Sequence, residues 1–116
     1  WQVVGAGQPS DFADPTPSEV VTLIEQIRTE GVPTIFGSEV FPSNVLEEVG
    51  NETGVRYEQS LRDDDLPGAP GEENHSWLGL MQYNFATMIE GLGGDASNVR
   101  AVDITSPVPD NADYPQ

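Results

Sequence analysis

Short runs of consecutive apolar residues alternate along the chain with longer stretches in which apolar residues recur every three or four positions. This alternation predicts strand, helix, strand, helix, strand, helix. Val3 and Val4, flanked by Trp1 and Ala6, form the first run and read as a buried strand whose end is blurred by Gly5 and Gly7. Residues 8–15 come next as a loop holding Pro9, Asp11, Asp14 and Pro15. Thr16-Pro17-Ser18-Glu19 then opens a helix: Thr16 can cap it, Pro17 suits the first helical position, and Glu19 can reach back to the Thr16 amide. Val20, Leu23, Ile24 and Ile27 supply its apolar face, and Gly31 stops it.

Residues 32–36 are β-branched and aromatic and predict the second strand, with Pro33 confined to its start and residues 37–41 as its loop. A second helix from Pro42 or Ser43 to about Glu52 buries Val45, Leu46 and Val49 and closes at Gly54. Residues 55–58 alternate, which predicts a third strand with one wet face. The acidic triplet Asp63, Asp64 and Asp65 comes next, and the Pro/Gly segment 67–71 after it cannot be regular structure. Ser76 caps the longest helix. Its Leu78, Met81, Phe85, Met88, Ile89 and Leu92 predict one core-facing stripe, a packing feature and not a cofactor box, and it ends at Gly93 and Gly94. The tail from Asp95 carries one short predicted strand, 99–104, before an irregular end. Short connections between alternating elements imply parallel strands and right-handed crossovers. The expected architecture is α/β: a small parallel sheet flanked by helices in three α/β/α layers over residues 1–94, with 95–116 as a tail.

At 116 residues the chain is one domain. Its 20 acidic against 4 basic residues leave a formal charge of −16, which argues against nucleic acid or an anionic membrane as direct partner and makes cations the natural ligands. The same acidity also fits a surface kept soluble in high salt. With no cysteine there is neither a disulfide nor a thiolate metal site. No signal peptide and no apolar run of about 20 residues is present, so this segment does not insert into a membrane. The chain opens at Trp1 without a methionine, inside a predicted strand, and is expected to be a piece of something longer.

In an open α/β sheet the loops after the strands' carboxyl ends hold ligands, and the acidic triplet occupies such a loop. Oxygen donors there suit a cation, whereas an acidic run by itself is commonly a solvated loop. An enzyme using paired acids with Mg²⁺ would need more than this. No Gly-rich phosphate loop, catalytic Ser/His/Asp set or nucleophilic cysteine is present, and 4 basic residues are few for holding a phosphate, so the chain is read as a non-enzyme. An acidic interaction or adhesion module is the alternative.

The order of these motifs resembles the carboxyl-terminal lobe of the substrate-binding proteins of manganese and zinc ABC transporters, also called metal-binding adhesion lipoproteins. The resemblance runs from about Gln8 to Gly94. It rests on the Thr16-Pro17-Ser18-Glu19 helix start, the Gly31-Val32-Pro33-Thr34-Ile35-Phe36 strand, Glu52-Thr53-Gly54 before the third strand, Asp64-Asp65-Leu66 with its Pro/Gly loop, and Ser76-Trp77-Leu78-Gly79-Leu80-Met81-Gln82-Tyr83-Asn84 opening the last helix. It implies two α/β lobes of a periplasmic-type receptor clamping one divalent metal, Mn²⁺ or Zn²⁺, as transported ligand. The amino-terminal lobe, absent here, would supply histidines, and an ABC permease would take the ion. The location implied is extracytoplasmic, periplasmic or at the cell surface, with anchoring through the missing amino-terminal part.

The resemblance also implies site residues. An aspartate in an aspartate, small or polar residue, leucine motif falls on Asp64, with Asp65 as the alternative register and Asp63 as a solvated or supporting neighbour. The lobe's other ligand would precede Thr16, where the usual glutamate falls on Phe12; Asp11 is the nearest carboxylate and Asp14 the next. A Glu-Ser pair after the second strand is reversed here as Ser38-Glu39, making Glu39 a candidate supporting group. The single histidine, His75, is assigned to the opening of the last helix or the surface, not to ligation.

Overall fold

The computed structural model describes residues 3, 5–6, 15–38, 43–108 and 110–111. Their order is α1 (Pro17–Glu30), β1 (Thr34–Ser38), α2 (Asn44–Thr53), β2 (Arg56–Leu61), α3 (Trp77–Gly91) and a one-turn α4 (Ser97–Arg100). β1 and β2 pair in parallel. Side chains of a strand alternate between faces, and the two faces meet different helices. A Cβ on Gly50 of α2 would lie against Tyr57 and Ile35, whereas one on Gly91 of α3 would meet Phe36 and Thr34. Helices therefore cover the sheet from both sides, the three-layer α/β arrangement expected, here around two strands.

The local signals that start and stop the helices work as their chemistry requires. Thr16 and Glu19 form a reciprocal capping box on α1, with the Thr16 amide donating to Glu19 Oε2 at 2.7 Å. Gly31 closes α1 at φ 63° and Gly54 closes α2 at φ 75°, a left-handed backbone that costs glycine no Cβ clash. Ser43 and Ser76 cap α2 and α3 through their hydroxyls. The Thr16 hydroxyl, and then its amide, hold the Glu19 carboxyl below its usual range. A carboxyl whose folded pKa is depressed contributes stability above its unfolded pKa and loses it as pH falls through the folded one. The melting-temperature gap between the parent and Glu19→Gln is therefore expected to be open at neutral pH and closed in strong acid. A gap independent of pH would contradict a charge-based cap.

Three expectations are corrected. The first concerns Val3, which is 85 % exposed and lies outside any strand; with Gly5 and Ala6 it lines an apolar cleft alongside Leu23, Ile27 and Met88. Flanking glycine weakens such a short run as a strand, and Val4 lies outside the described residues.

The second concerns the tail. Residues 99–104 form no strand: α4 covers 97–100 and an irregular segment succeeds it. Asp95 accepts from the Ser97 amide at 2.9 Å and from its hydroxyl, which starts a helical turn. The Gln82 amide then donates to the carbonyls of Val99 and Val102 at 3.0 Å, so a side chain from α3 takes bonds that a neighbouring strand would have taken.

The third is the orientation of α3. Leu78, Phe85 and Leu92 are each 46 % exposed, and the residues buried on this helix are Gly79, Leu80, Ala86 and Gly91. The helix lays its small-residue face inward because that face lets the backbone approach closely. A Cβ at Gly91 would lie 2.8 Å from the Phe36 ring.

Strand boundaries shift for identifiable reasons. Val32 donates its amide to Ile27 O in the closing turn of α1 and Pro33 has no amide, so β1 begins at Thr34 and runs through Gly37 and Ser38. β2 extends to Leu61 through an irregularity. Phe36 pairs with Glu58 but Ser38 pairs with Leu61, which places one extra residue in β2. The Glu58 carboxylate accepts from the Ser60 hydroxyl at 2.6 Å and the Ser60 amide at 3.1 Å inside this bulge.

Candidate metal centre

The bulge in β2 sets the position of the acidic loop. By moving Leu61 opposite Ser38, it brings the end of β1 level with that loop, and the Ser38 hydroxyl donates to Asp63 Oδ2 at 3.0 Å. Two residues on, Asp65 is engaged differently. Arg62 Nη1 donates to Asp65 Oδ2 at 2.9 Å, with the two side chains 23 % and 31 % exposed. The same nitrogen reaches the Leu66 carbonyl at 3.3 Å and the Asp65 carbonyl at 3.4 Å. Asp64, between the two, is exposed, and its carboxylate makes no hydrogen bond or ion pair with the described residues. Three acids that are equivalent in sequence are thus separated into one tied to β1, one tied to an arginine and one left to solvent.

The loop is fastened to α3 as well. Asn84 Oδ1 accepts from the Arg62 amide at 2.9 Å while its Nδ2 donates to the Arg62 carbonyl at 2.7 Å, the two bonds a neighbouring strand would make. The Arg62 guanidinium carbon lies 5.3 Å from the centre of the Tyr83 ring, within cation–π range. Farther along the loop, His75 is 5 % exposed and its Nδ1 faces the Pro67 carbonyl at 3.3 Å. It opens α3 as expected, but from the interior and not at the surface.

Asp11, Asp14 and Glu39 lie outside the described residues. Among the described residues, no group of three or more His, Asp or Glu is placed to hold a metal ion. Chemically, the loop offers one unengaged carboxylate at the carboxyl end of a parallel strand, a hard oxygen donor that needs further ligands to hold a divalent ion. Sequence reasoning gave no role to Arg62, and it noted Tyr83 and Asn84 only as part of the motif that opens the last helix. The signal for Arg62 was its position directly before the acidic run; nothing local ties Asn84 to Arg62, 22 residues away.

Residues 2–91 match the family described as zinc-uptake complex component A, periplasmic. Among curated proteins, the chain is 29 % identical over 77 residues to the metal ABC transporter substrate-binding lipoprotein ScbA of Streptococcus cristatus, covering 66 % of this chain and 24 % of that protein. It is 27 % identical over the same length to the manganese ABC transporter substrate-binding lipoprotein PsaA of Streptococcus pneumoniae, covering 66 % and 25 %. To the metal ABC transporter substrate-binding lipoprotein SsaB of Streptococcus sanguinis it is 26 % identical, with 66 % and 25 % covered. The chain spans about a quarter of the length of the curated relatives it matches. No solved structure matches it.

Proposed function

The chain belongs to the family of the periplasmic zinc-uptake complex component A, and from that premise we propose that it is the carboxyl-terminal lobe of a receptor that captures Mn²⁺ or Zn²⁺ outside the cytoplasm and delivers the ion to an ABC permease. The observation that carries this reading is the separation of the three acids. Asp64, the residue on which the family's aspartate motif falls, is the one whose carboxylate is unengaged among the described residues. Asp63 serves β1 and Asp65 serves Arg62. Asp11 or Asp14 supplies the second carboxylate of this lobe, Glu39 supports the site, and the opposing lobe supplies nitrogen ligands. Closure of two lobes on a ligand is the usual action of periplasmic-type binding proteins. The formal charge of −16 draws divalent cations toward the lobe and adds to the rate of capture. No described helix is long and apolar enough to cross a membrane.

Half a ligand set binds weakly. Isothermal titration of the 116-residue chain with Mn²⁺ and with Zn²⁺ is expected to give weak, exchangeable binding or none. Tight binding at one ion per chain would contradict the two-lobe reading.

A further inference from the structure

We infer that Arg62 is a positioning residue that occupies Asp65 and so sets the acidic loop to present a single carboxylate, Asp64, to a metal; this rests on the receptor reading. Arg62 is held at both ends. Its main chain is bracketed by the Asn84 amide at 2.9 and 2.7 Å, and its guanidinium lies by the Tyr83 ring and donates to Asp65 Oδ2 at 2.9 Å and the Leu66 carbonyl at 3.3 Å. All of these partners lie on α3 or within the loop itself, so the turn over residues 62–66 is tied to the helix beyond it.

A bound cation meets the two carboxylates on unequal terms. Engaging Asp65 would require breaking a partly buried, charge-assisted bond from a guanidinium that also satisfies loop carbonyls. Engaging Asp64 breaks nothing. In addition, Arg62 is compensated by Asp65, so its positive charge is screened from an ion one residue away. The three oxygens are all met by the one nitrogen Nη1; a lysine ammonium could take part of that role but lacks the flat guanidinium that lies by the Tyr83 ring. Arg62 therefore decides the ambiguity between Asp64 and Asp65 that the sequence leaves open.

The test reads each carboxyl separately. In the 116-residue chain, paramagnetic relaxation of the carboxyl ¹³C resonances is monitored on adding millimolar Mn²⁺, for the parent, Arg62→Gln and Arg62→Lys. The expected result is a relaxation enhancement at Asp64 severalfold larger than at Asp65 in the parent. In Arg62→Gln, Asp65 rises to match Asp64, and Arg62→Lys falls between the two; if Arg62→Gln does not fold, Arg62→Lys carries the comparison. A uniform rise of all three acids in the variants is a general charge effect and overturns the inference, as does an Asp65 that relaxes as strongly as Asp64 in the parent. If Mn²⁺ relaxes none of the three in the parent, the lobe alone does not hold the ion, which the two-lobe receptor reading allows. Rotation about the Arg62 Nε–Cζ bond then tests the clamp without metal. Slow rotation in the parent, made fast by Asp65→Asn, supports it; fast rotation in the parent removes it.

Discussion

Replacing Asp64 with alanine in a receptor that carries this lobe is expected to weaken Mn²⁺ or Zn²⁺ binding by about 100-fold or more, because even groups that only orient a ligand change metal affinity by about 10–100-fold. Asp63→Ala loses a hydrogen bond to Ser38 and is expected to stay near the parent. Asp65→Ala falls between them for a specific reason: it does not remove the ligand, but it takes away the carboxylate that pairs with the Arg62 guanidinium beside the ion. Titration of the three single variants with Mn²⁺ gives the ranking directly. If Asp65→Ala were the most damaging, the register would be that of Asp65 and the assignment of Asp64 would be wrong. If all three matched the parent, the loop would be a solvated acidic surface, as the adhesion-module reading requires.

The largest structural effect is expected from a substitution that looks favourable. Alanine is the better helix former by about 1 kcal/mol, so Gly79→Ala in α3 would stabilise an isolated helix. In the folded chain a Cβ at Gly79 would collide with the Asn74 carbonyl oxygen and lie 2.7 Å from its carbon, both main-chain atoms. No rotamer can relieve that contact; either α3 withdraws or residues 72–75 move. Overpacking of this kind typically costs about 1–3 kcal/mol, and a clash with backbone belongs at the upper end. The urea midpoint of Gly79→Ala is expected to fall with little change in the slope of the transition. A midpoint at or above the parent's would mean that the chain from Asn74 to Ser76 yields at negligible cost. The same substitution would also loosen the loop that joins the acidic triplet to α3. Reduced amide protection over residues 63–75 is the accompanying sign.

The parts of this fold legible from sequence are those whose cause is local. Thr16 with Glu19, Ser43, Ser76, Gly31 and Gly54 start or stop helices through contacts made within a turn, and each acts where the pattern places it. The α/β alternation is readable for the same reason. The inward face of α3 is not, because hydrophobicity argues for Leu78, Phe85 and Leu92, whereas the residues buried are Leu80 and the small Gly79, Ala86 and Gly91, which permit close approach. Periodicity reports which residues prefer burial and says nothing of how close two backbones must come. The strand expected over 99–104 failed on a long-range term, the bonds from Gln82 to its carbonyls.

The candidate site divides along the same line. That an acidic loop would succeed the third predicted strand was readable. What makes its members unequal is a bulge in β2, a hydroxyl on β1 and an asparagine in the middle of α3. The hydroxyl and the asparagine lie far from the triplet in sequence, and the bulge shows itself only in the pairing of two strands. The family resemblance implied Asp64, with Asp65 as the alternative register; in the structure Asp63 and Asp65 are the two members of the triplet that have partners among the described residues.

Anomalous scattering from crystals of a Mn²⁺-loaded receptor carrying this lobe tests the central claim most directly. The expected result is a single manganese peak at about 2.0–2.3 Å, ordinary metal–oxygen range, from a carboxylate oxygen of Asp64, with Asp65 still paired to Arg62 and further ligands from the opposing lobe. A peak coordinated away from residues 63–65, or one ligated by Asp65 with Arg62 released, would contradict it.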